Sequence, residues 1–170
     1  MKKFELTSEF VTFLGKKLFR IKALVSFGDV KEGELGGLVE KEENLDQSGN
    51  AWVYGNARIS GDARVSGDAQ VYGNARVSGD AQVSGNAWVS GDARVQNCRD
   101  YSATSCFGSE NRTTTFFRTK DGGISVRCGC FYGTLAEFRE KVKERHGGRR
   151  LAKEYLMLAD LMEFRLSKDE

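Results

Sequence analysis

From Gly49 to Gln96 the chain repeats a six-residue phrase eight times without interruption: GNAWVY, GNARIS, GDARVS, GDAQVY, GNARVS, GDAQVS, GNAWVS, GDARVQ. A period this strict decides the architecture ahead of local propensity, because each unit must find the same surroundings as its neighbours. Within a unit, Ala, then Arg, Gln or Trp, then Val or Ile, alternates in-out-in as a strand does. Ala51 and Val53, and their equivalents at every six-residue step to Ala93 and Val95, are therefore expected to point inward. The Gly-Asn or Gly-Asp that opens each unit supplies a positive-φ corner. A short strand and a tight corner every six residues close as a triangular prism, three units per coil, with coils stacked by parallel pairing at about 4.8 Å. Val39 and Leu45 fall on the small-residue slot at the same step, so an irregular first coil is expected near Gly36. The solenoid is then expected to stand about four coils tall.

Three units per coil sort the outward side chains into three unlike faces. One carries Trp52, Tyr54, Gln70, Tyr72 and Trp88, so that both tryptophans and both tyrosines of the block fall together. A second carries Arg58, Arg76 and Arg94 beside Ser60, Ser78 and Gln96, and the third carries Arg64 and Gln82. Stacked aromatics suit any strand surface. Trp and Tyr are also enriched at interface cores, which makes the aromatic face the expected surface for self-association. On the second face, like charges about 4.8 Å apart repel. Aspartates at neighbouring corners and solvent absorb this in the plainer reading, and a small anionic ligand or polymer does so in the sharper one.

The block resembles the hexapeptide repeat of left-handed parallel β-helix proteins, in which an aliphatic residue leads each unit and a small residue follows four places later. The resemblance implies the left hand and a homo-oligomer, a trimer above all. Many such proteins are acyltransferases that use a histidine base at a cleft between subunits, commonly with a loop excursion from a coil. The block has neither, and the single histidine of the chain, His146, lies some fifty residues beyond it. A base must reach the group it activates. An acyltransferase-like enzyme is accordingly the alternative reading and a non-catalytic scaffold the main one.

The flanks read differently. In Val11 to Phe27, Phe19, Ile21 and Ala23 alternate with Arg20 and Lys22, which predicts two short strands about a turn near Gly15-Lys16-Lys17. Residues 1–36 are the natural cap for the first end of the solenoid. After Gln96 the period is lost. Tyr101–Phe107, Thr113–Arg118 and Ile124–Cys128 read as strands, with Lys120-Asp121-Gly122-Gly123 as a hairpin turn. Thr134 and Glu137 form a capping box for a helix that stops at Gly147-Gly148, and a second helix spans about Arg149 to Leu166. Cys98, Cys106, Cys128 and Cys130 lack the usual zinc-knuckle spacing. Buried reduced thiols are the plainer reading for them, and a zinc site or a Cys128–His146 nucleophile pair the sharper ones. No metal or cofactor is expected. Glu137, Glu140, Glu144 and Glu154 intersperse the cations of the helices, which argues against a nucleic-acid patch.

The segments FRIKALVSFGDVKEGELGGLVE and TTFFRTKDGGISVRCGCFYGTLAEF, with the terminal helices, resemble a group of bacteriophage and prophage proteins. That resemblance implies a phage-linked cytoplasmic protein acting on a host macromolecule, with counter-defence as one use, and it supplies no reaction. A formal charge of +2 does not by itself imply a nucleic-acid partner, and no apolar run reaches the roughly 18 residues that span a bilayer. The expected architecture is mainly β: an N-terminal β cap (1–36), a left-handed parallel β-helix (37–97) and a small α+β unit (98–170). The expected function is binding and scaffolding by a self-assembling protein, through the aromatic face and an anion face at Arg58, Arg76 and Arg94.

Overall fold

The computed structural model describes residues 1–167. Each hexapeptide forms a two-residue strand: β4 (Trp52–Val53), β5 (Arg58–Ile59), β6 (Arg64–Val65), β7 (Gln70–Val71), β8 (Arg76–Val77), β9 (Gln82–Val83), β10 (Trp88–Val89) and β11 (Arg94–Val95). Strands three units apart pair in parallel, with Trp52 on Gln70, Arg58 on Arg76 and Arg64 on Gln82. The amides of one turn donate to the carbonyls of the next, as in Arg58 N to Ala75 O at 2.9 Å and Ser60 N to Val77 O at 3.0 Å. Inside, the valines, the single isoleucine and the alanines of the block are all buried. Because the pairing is in register, Val lies over Val and Ala over Ala. Each buried Val side chain contributes about 1.5–3 kcal/mol relative to exposure.

The entry departs from the expected phase. Val39, at the end of β3 (Leu35–Val39), pairs with Ile59, and Leu45 bridges to Val65. Both therefore occupy the large aliphatic slot, not the small one. Two extra residues separate Leu45 from Val53, and they enlarge one corner. That corner does specific work: Gln47 Oε1 accepts from the Lys3 and Phe4 amides at 2.8 and 3.2 Å. The Lys3 ammonium donates to the carbonyls of Ser48, Gly49 and Ala51. Asn44, fully buried, donates to Gly61 O and Ala63 O and accepts from Lys41 N. The solenoid has about three turns of parallel strands, four strands deep on the β3-β5-β8-β11 wall and three on the β4-β7-β10 wall.

A hairpin of β1 (Phe4–Phe13) and β2 (Lys16–Ala23) extends one wall of the prism, giving the order β1-β2-β3-β5-β8-β11. Its turn is at Leu14–Gly15, as the Gly15 signal predicts, but the first strand begins well before Val11. Phe4, Ile21, Ala23 and Val30 join the solenoid core from above. The first end is thus closed by side chains that carry no repeat.

The second end is closed by an antiparallel sheet, β12 (Tyr101–Phe107), β13 (Arg112–Arg118), β14 (Ile124–Cys128) and β15 (Phe131–Thr134). The first three match the expected strands and β15 is additional. Alternation along β13 divides two neighbouring rings between two cores: Phe117 belongs to the solenoid and Phe116 to the module. Helices α1 (Leu135–His146) and α2 (Arg150–Leu166) cover the Phe116 face, and Thr134 with Glu137 forms the predicted capping box. Asp100 stitches the junction. Its carboxylate accepts from Gln96 N and Asn97 N at 2.8 and 3.1 Å and lies 3.4 Å from Arg118 Nη1. The module therefore packs on its own solenoid. No helix among the described residues is long and apolar enough to cross a membrane.

Two outcomes are expected. At Gly73 (φ 72°) an added Cβ would lie 2.9 Å from the Gly91 amide nitrogen, whereas at Gly55 (φ 56°) it would meet nothing within 4 Å. Gly55→Ala therefore costs only left-handed strain, about 1–2 kcal/mol, and Gly73→Ala about 1–3 kcal/mol more in urea unfolding. Equal costs would mean that the turns are not in close backbone contact. For Lys3, burial pushes the ammonium down from 10.5 to about 8. Between those values the unfolded chain binds more protons, so stability rises with pH from about 8 towards 10.5, and the buried charge depresses it below that window. Melting temperature followed across this range rises in the wild type, and Lys3→Met removes that slope.

Candidate functional site

Stacking in register brings the aromatic residues of the first face into one line. Tyr54 and Tyr72 meet edge to face with centroids 6.3 Å apart, and Tyr72 meets Trp88 in the same way at 6.4 Å. Gln70 donates to the carbonyls of Asn50 and Asp68, and its Oε1 is buried without a partner among the described residues. The expectation that all five residues form one open contact face does not hold. Trp52 is 0 % exposed, wedged against Phe27 at 5.3 Å and Phe4 at 6.2 Å. Burying a ring of this size under the cap takes its apolar surface out of water within the chain itself. Trp88 stays 40 % exposed, and the Arg127 guanidinium lies 5.2 Å from its ring centre and 5.8 Å from that of Tyr72. The aromatic line is thus covered by the cap at one end and flanked by the module at the other. Tyr54 and Tyr72 lie half-buried between them, with burial first and the Glu34 carboxylate second raising the Tyr54 hydroxyl above its usual range.

The second face is assembled as expected. Arg58, Arg76 and Arg94 lie in register on successive strands. The β1–β2 hairpin adds what the repeat could not announce. Phe13 lies over the first two guanidinium groups, 4.6 Å from Arg58 and 4.4 Å from Arg76. Such contacts hold each cation by about 0.5–1 kcal/mol at an exposed site and do not neutralise it. Arg94 is engaged differently: its Nη1 donates to Asn74 O, Asp92 O and Ala93 O. Burial, and then the Arg76 charge, hold that guanidinium below its ordinary value. Neither Arg58 nor Arg76 forms a salt bridge among the described residues. Lys16 closes the rim of the groove and is tied to Glu40 at 2.9 Å. Glu40 in turn accepts the Gly61 amide, and that bond first, with Lys16 after it, keeps its carboxyl below the usual range. The result is a groove of about 390 Å³ with Ser60, Ser78 and Gln96 among its walls. Three guanidinium groups, the Lys16 ammonium and two hydroxyls line it together with the Asp62 carboxylate, which pairs with Lys41.

The other sequence candidates are dispersed. His146 ends α1 and stacks on Tyr155 at 5.6 Å, away from the solenoid strands. The four cysteines are free, and Cys98, Cys106 and Cys130 are exposed, contrary to the buried reading, because they sit on turns and on strand positions facing water. Cys128 is half-buried and shares a cavity lining with His146. No group of three or more His, Cys, Asp or Glu able to hold a metal occurs among the described residues. The module's cations are largely spoken for: Arg139 pairs with Asp160 and Glu163, Lys120 with Asp92, and Arg150 with Glu154.

A family model described as the YdcK beta solenoid repeat matches residues 57–71 and 69–85. The chain carries a β-solenoid repeat. The match lies in the middle of the solenoid and touches neither the cap nor the module, so it speaks to fold alone. Among curated proteins, none matches the chain.

The two tryptophans report separately on this arrangement. Trp88→Phe leaves only Trp52, whose emission is expected to be blue-shifted and poorly quenched by acrylamide, while Trp52→Phe leaves a readily quenched Trp88. Trp52→Ala is expected to cost about 3–5 kcal/mol. Equal quenching of the two single-tryptophan variants would place Trp52 outside the core.

Proposed function

We propose that this protein is a non-catalytic binding scaffold whose arginine-lined groove takes an anionic ligand. The observation that carries the reading is the register of Arg58, Arg76 and Arg94 on one wall, with Phe13 holding the first two in place and no acidic partner for either among the described residues. Cations fixed one strand apart confront a ligand with charge at a spacing of about 4.8 Å, and a multiply charged ligand relieves their mutual repulsion. Guanidinium groups suit phosphate and carboxylate oxygens because they donate two parallel hydrogen bonds. Self-association belongs to the same reading, through Trp88, Tyr54 and Tyr72, and the trimer follows from the hexapeptide resemblance. A phage-linked role on a host macromolecule in the cytoplasm rests on the resemblance of the flanking segments.

Calorimetric titration with tripolyphosphate at low salt tests the groove, with light scattering reporting the assembly state of the same samples. Binding is expected to weaken with ionic strength. Arg58→Gln/Arg76→Gln is expected to weaken it roughly tenfold or more, and Phe13→Ala less. Unchanged affinity in the double variant sinks the proposal. Acetyl-CoA serves as the contrasting probe, since turnover that His146→Ala abolishes would mark the acyltransferase-like alternative.

A further inference from the structure

The module contains a second concavity, separate from the arginine-lined wall. A half-open cavity of about 220 Å³ lies between the β12–β13 hairpin, the turn after β14 and the last two turns of α1. Its floor is apolar: Phe107, Phe131, Phe138, Val142 and Tyr155, with Cys128 among them. Phe138 meets Phe131 and Tyr155 with centroids 5.6 and 5.9 Å apart, so the floor is a packed aromatic surface. Its rim is cationic. Arg112, Lys141 and Arg145 line the mouth with Glu110 as the single acid, and His146 completes the edge. Two of the three counter-charges are weak. Arg112 lies 3.9 Å from Glu110, both largely exposed, and Arg145 forms no salt bridge among the described residues, while Lys141 holds an exposed pair with Glu144 at 2.9 Å.

The hairpin that forms the lip is built with unusual backbone. Cys106 and Asn111 adopt positive φ, 56° and 49°, although neither is glycine, and the β12–β13 register shifts between Thr104 and Phe107. Such conformations persist only where their surroundings hold them, and they concentrate at binding sites. Here the bulge brings Phe107 into the cavity lining, and the Ser109 amide donates to the Tyr155 hydroxyl at 3.2 Å, fixing lip to floor. An apolar floor with a few convergent charges at the mouth is the usual form of a small-molecule site.

We propose that this cavity binds a small organic acid, an apolar ring or branched chain bearing one carboxylate. Size limits the body: a dry cavity of about 150 Å³ takes benzene, and this one exceeds that by little more than a carboxylate arm. Charge sets the head group, because Arg112, Lys141 and Arg145 line the mouth with one glutamate, and the Glu144 that pairs with Lys141 lies outside the lining. The body occupies the aromatic floor and the carboxylate stays at the rim, within reach of Arg112, Lys141 and Arg145.

The test uses the full chain with 3-phenylpropionate and its neutral counterpart 3-phenylpropanamide, followed by calorimetry and by proton NMR of the aromatic rings. Phenylpropionate is expected to shift the ring signals of Phe107, Phe131, Phe138 and Tyr155, and the amide to bind at least tenfold more weakly. Lys141→Gln/Arg145→Gln, both at exposed positions, is expected to lower the affinity of the acid about tenfold and leave that of the amide unchanged. Arg58→Gln/Arg76→Gln is expected to change neither. Equal binding of acid and amide overturns the assigned ligand class, and loss of binding in the Arg58/Arg76 variant moves the acid to the solenoid groove. No ring perturbation at millimolar probe overturns the site, a readout that needs no variant to fold.

Discussion

Each turn of this solenoid satisfies its backbone amides on the carbonyls of the next, and a stack built in that way always leaves two unsatisfied ends. Unpaired strand groups and an open apolar column are costly in water and invite pairing with other chains. The two ends are closed by different means. At the first, a hairpin extends one wall while Lys3 donates to carbonyls of the enlarged corner, Gln47 accepts the Lys3 and Phe4 amides, and Asn44 donates to the carbonyls of Gly61 and Ala63. At the second, a four-stranded sheet is laid across the column, and Asp100, Thr115 and Tyr101 accept free amides of the last turn.

In-register stacking has a second effect, on the outside. Side chains eighteen residues apart are forced over one another, whether or not they attract. On one wall this yields a line of arginines, which an aromatic ring from the hairpin partly covers. On another it yields a line of aromatic rings, which an arginine from the module partly covers. The two non-repeating segments thus meet the repeat with complementary chemistry, cation against π face in both cases. What stays open is unequal: the arginine wall keeps uncompensated charge, whereas the aromatic wall has already lost Trp52 to the core.

Periodicity made the strands, the corners and the identity of each wall legible, because it is a local property that the chain states eight times. The capping box at Thr134 and the turn at Gly15 were legible for the same reason, each resting on residues close in sequence. Contacts that join distant, non-repeating residues were not. Nothing in the repeat distinguishes Trp52 from Trp88, yet one lies under Phe4 and Phe27 and the other at the surface. Nor does it reveal that the segment after Leu45 carries two additional residues, since an enlarged corner looks like a weak repeat until its partner strand is known. Phe13 over the arginines and the cavity beneath the β12–β13 hairpin depend on how the flanks fold back. For Phe13 the only local signal is an aromatic residue just before a hairpin turn.

Three units per turn also determine how this molecule can change in length. Eighteen added residues lengthen the column by one layer and leave cap and module above the same walls as before. Six residues added between Tyr72 and Trp88 carry the module, with Trp88 and Arg127, a third of the way around the axis and away from Tyr72. Whole layers are thus interchangeable parts, and single hexapeptides are not.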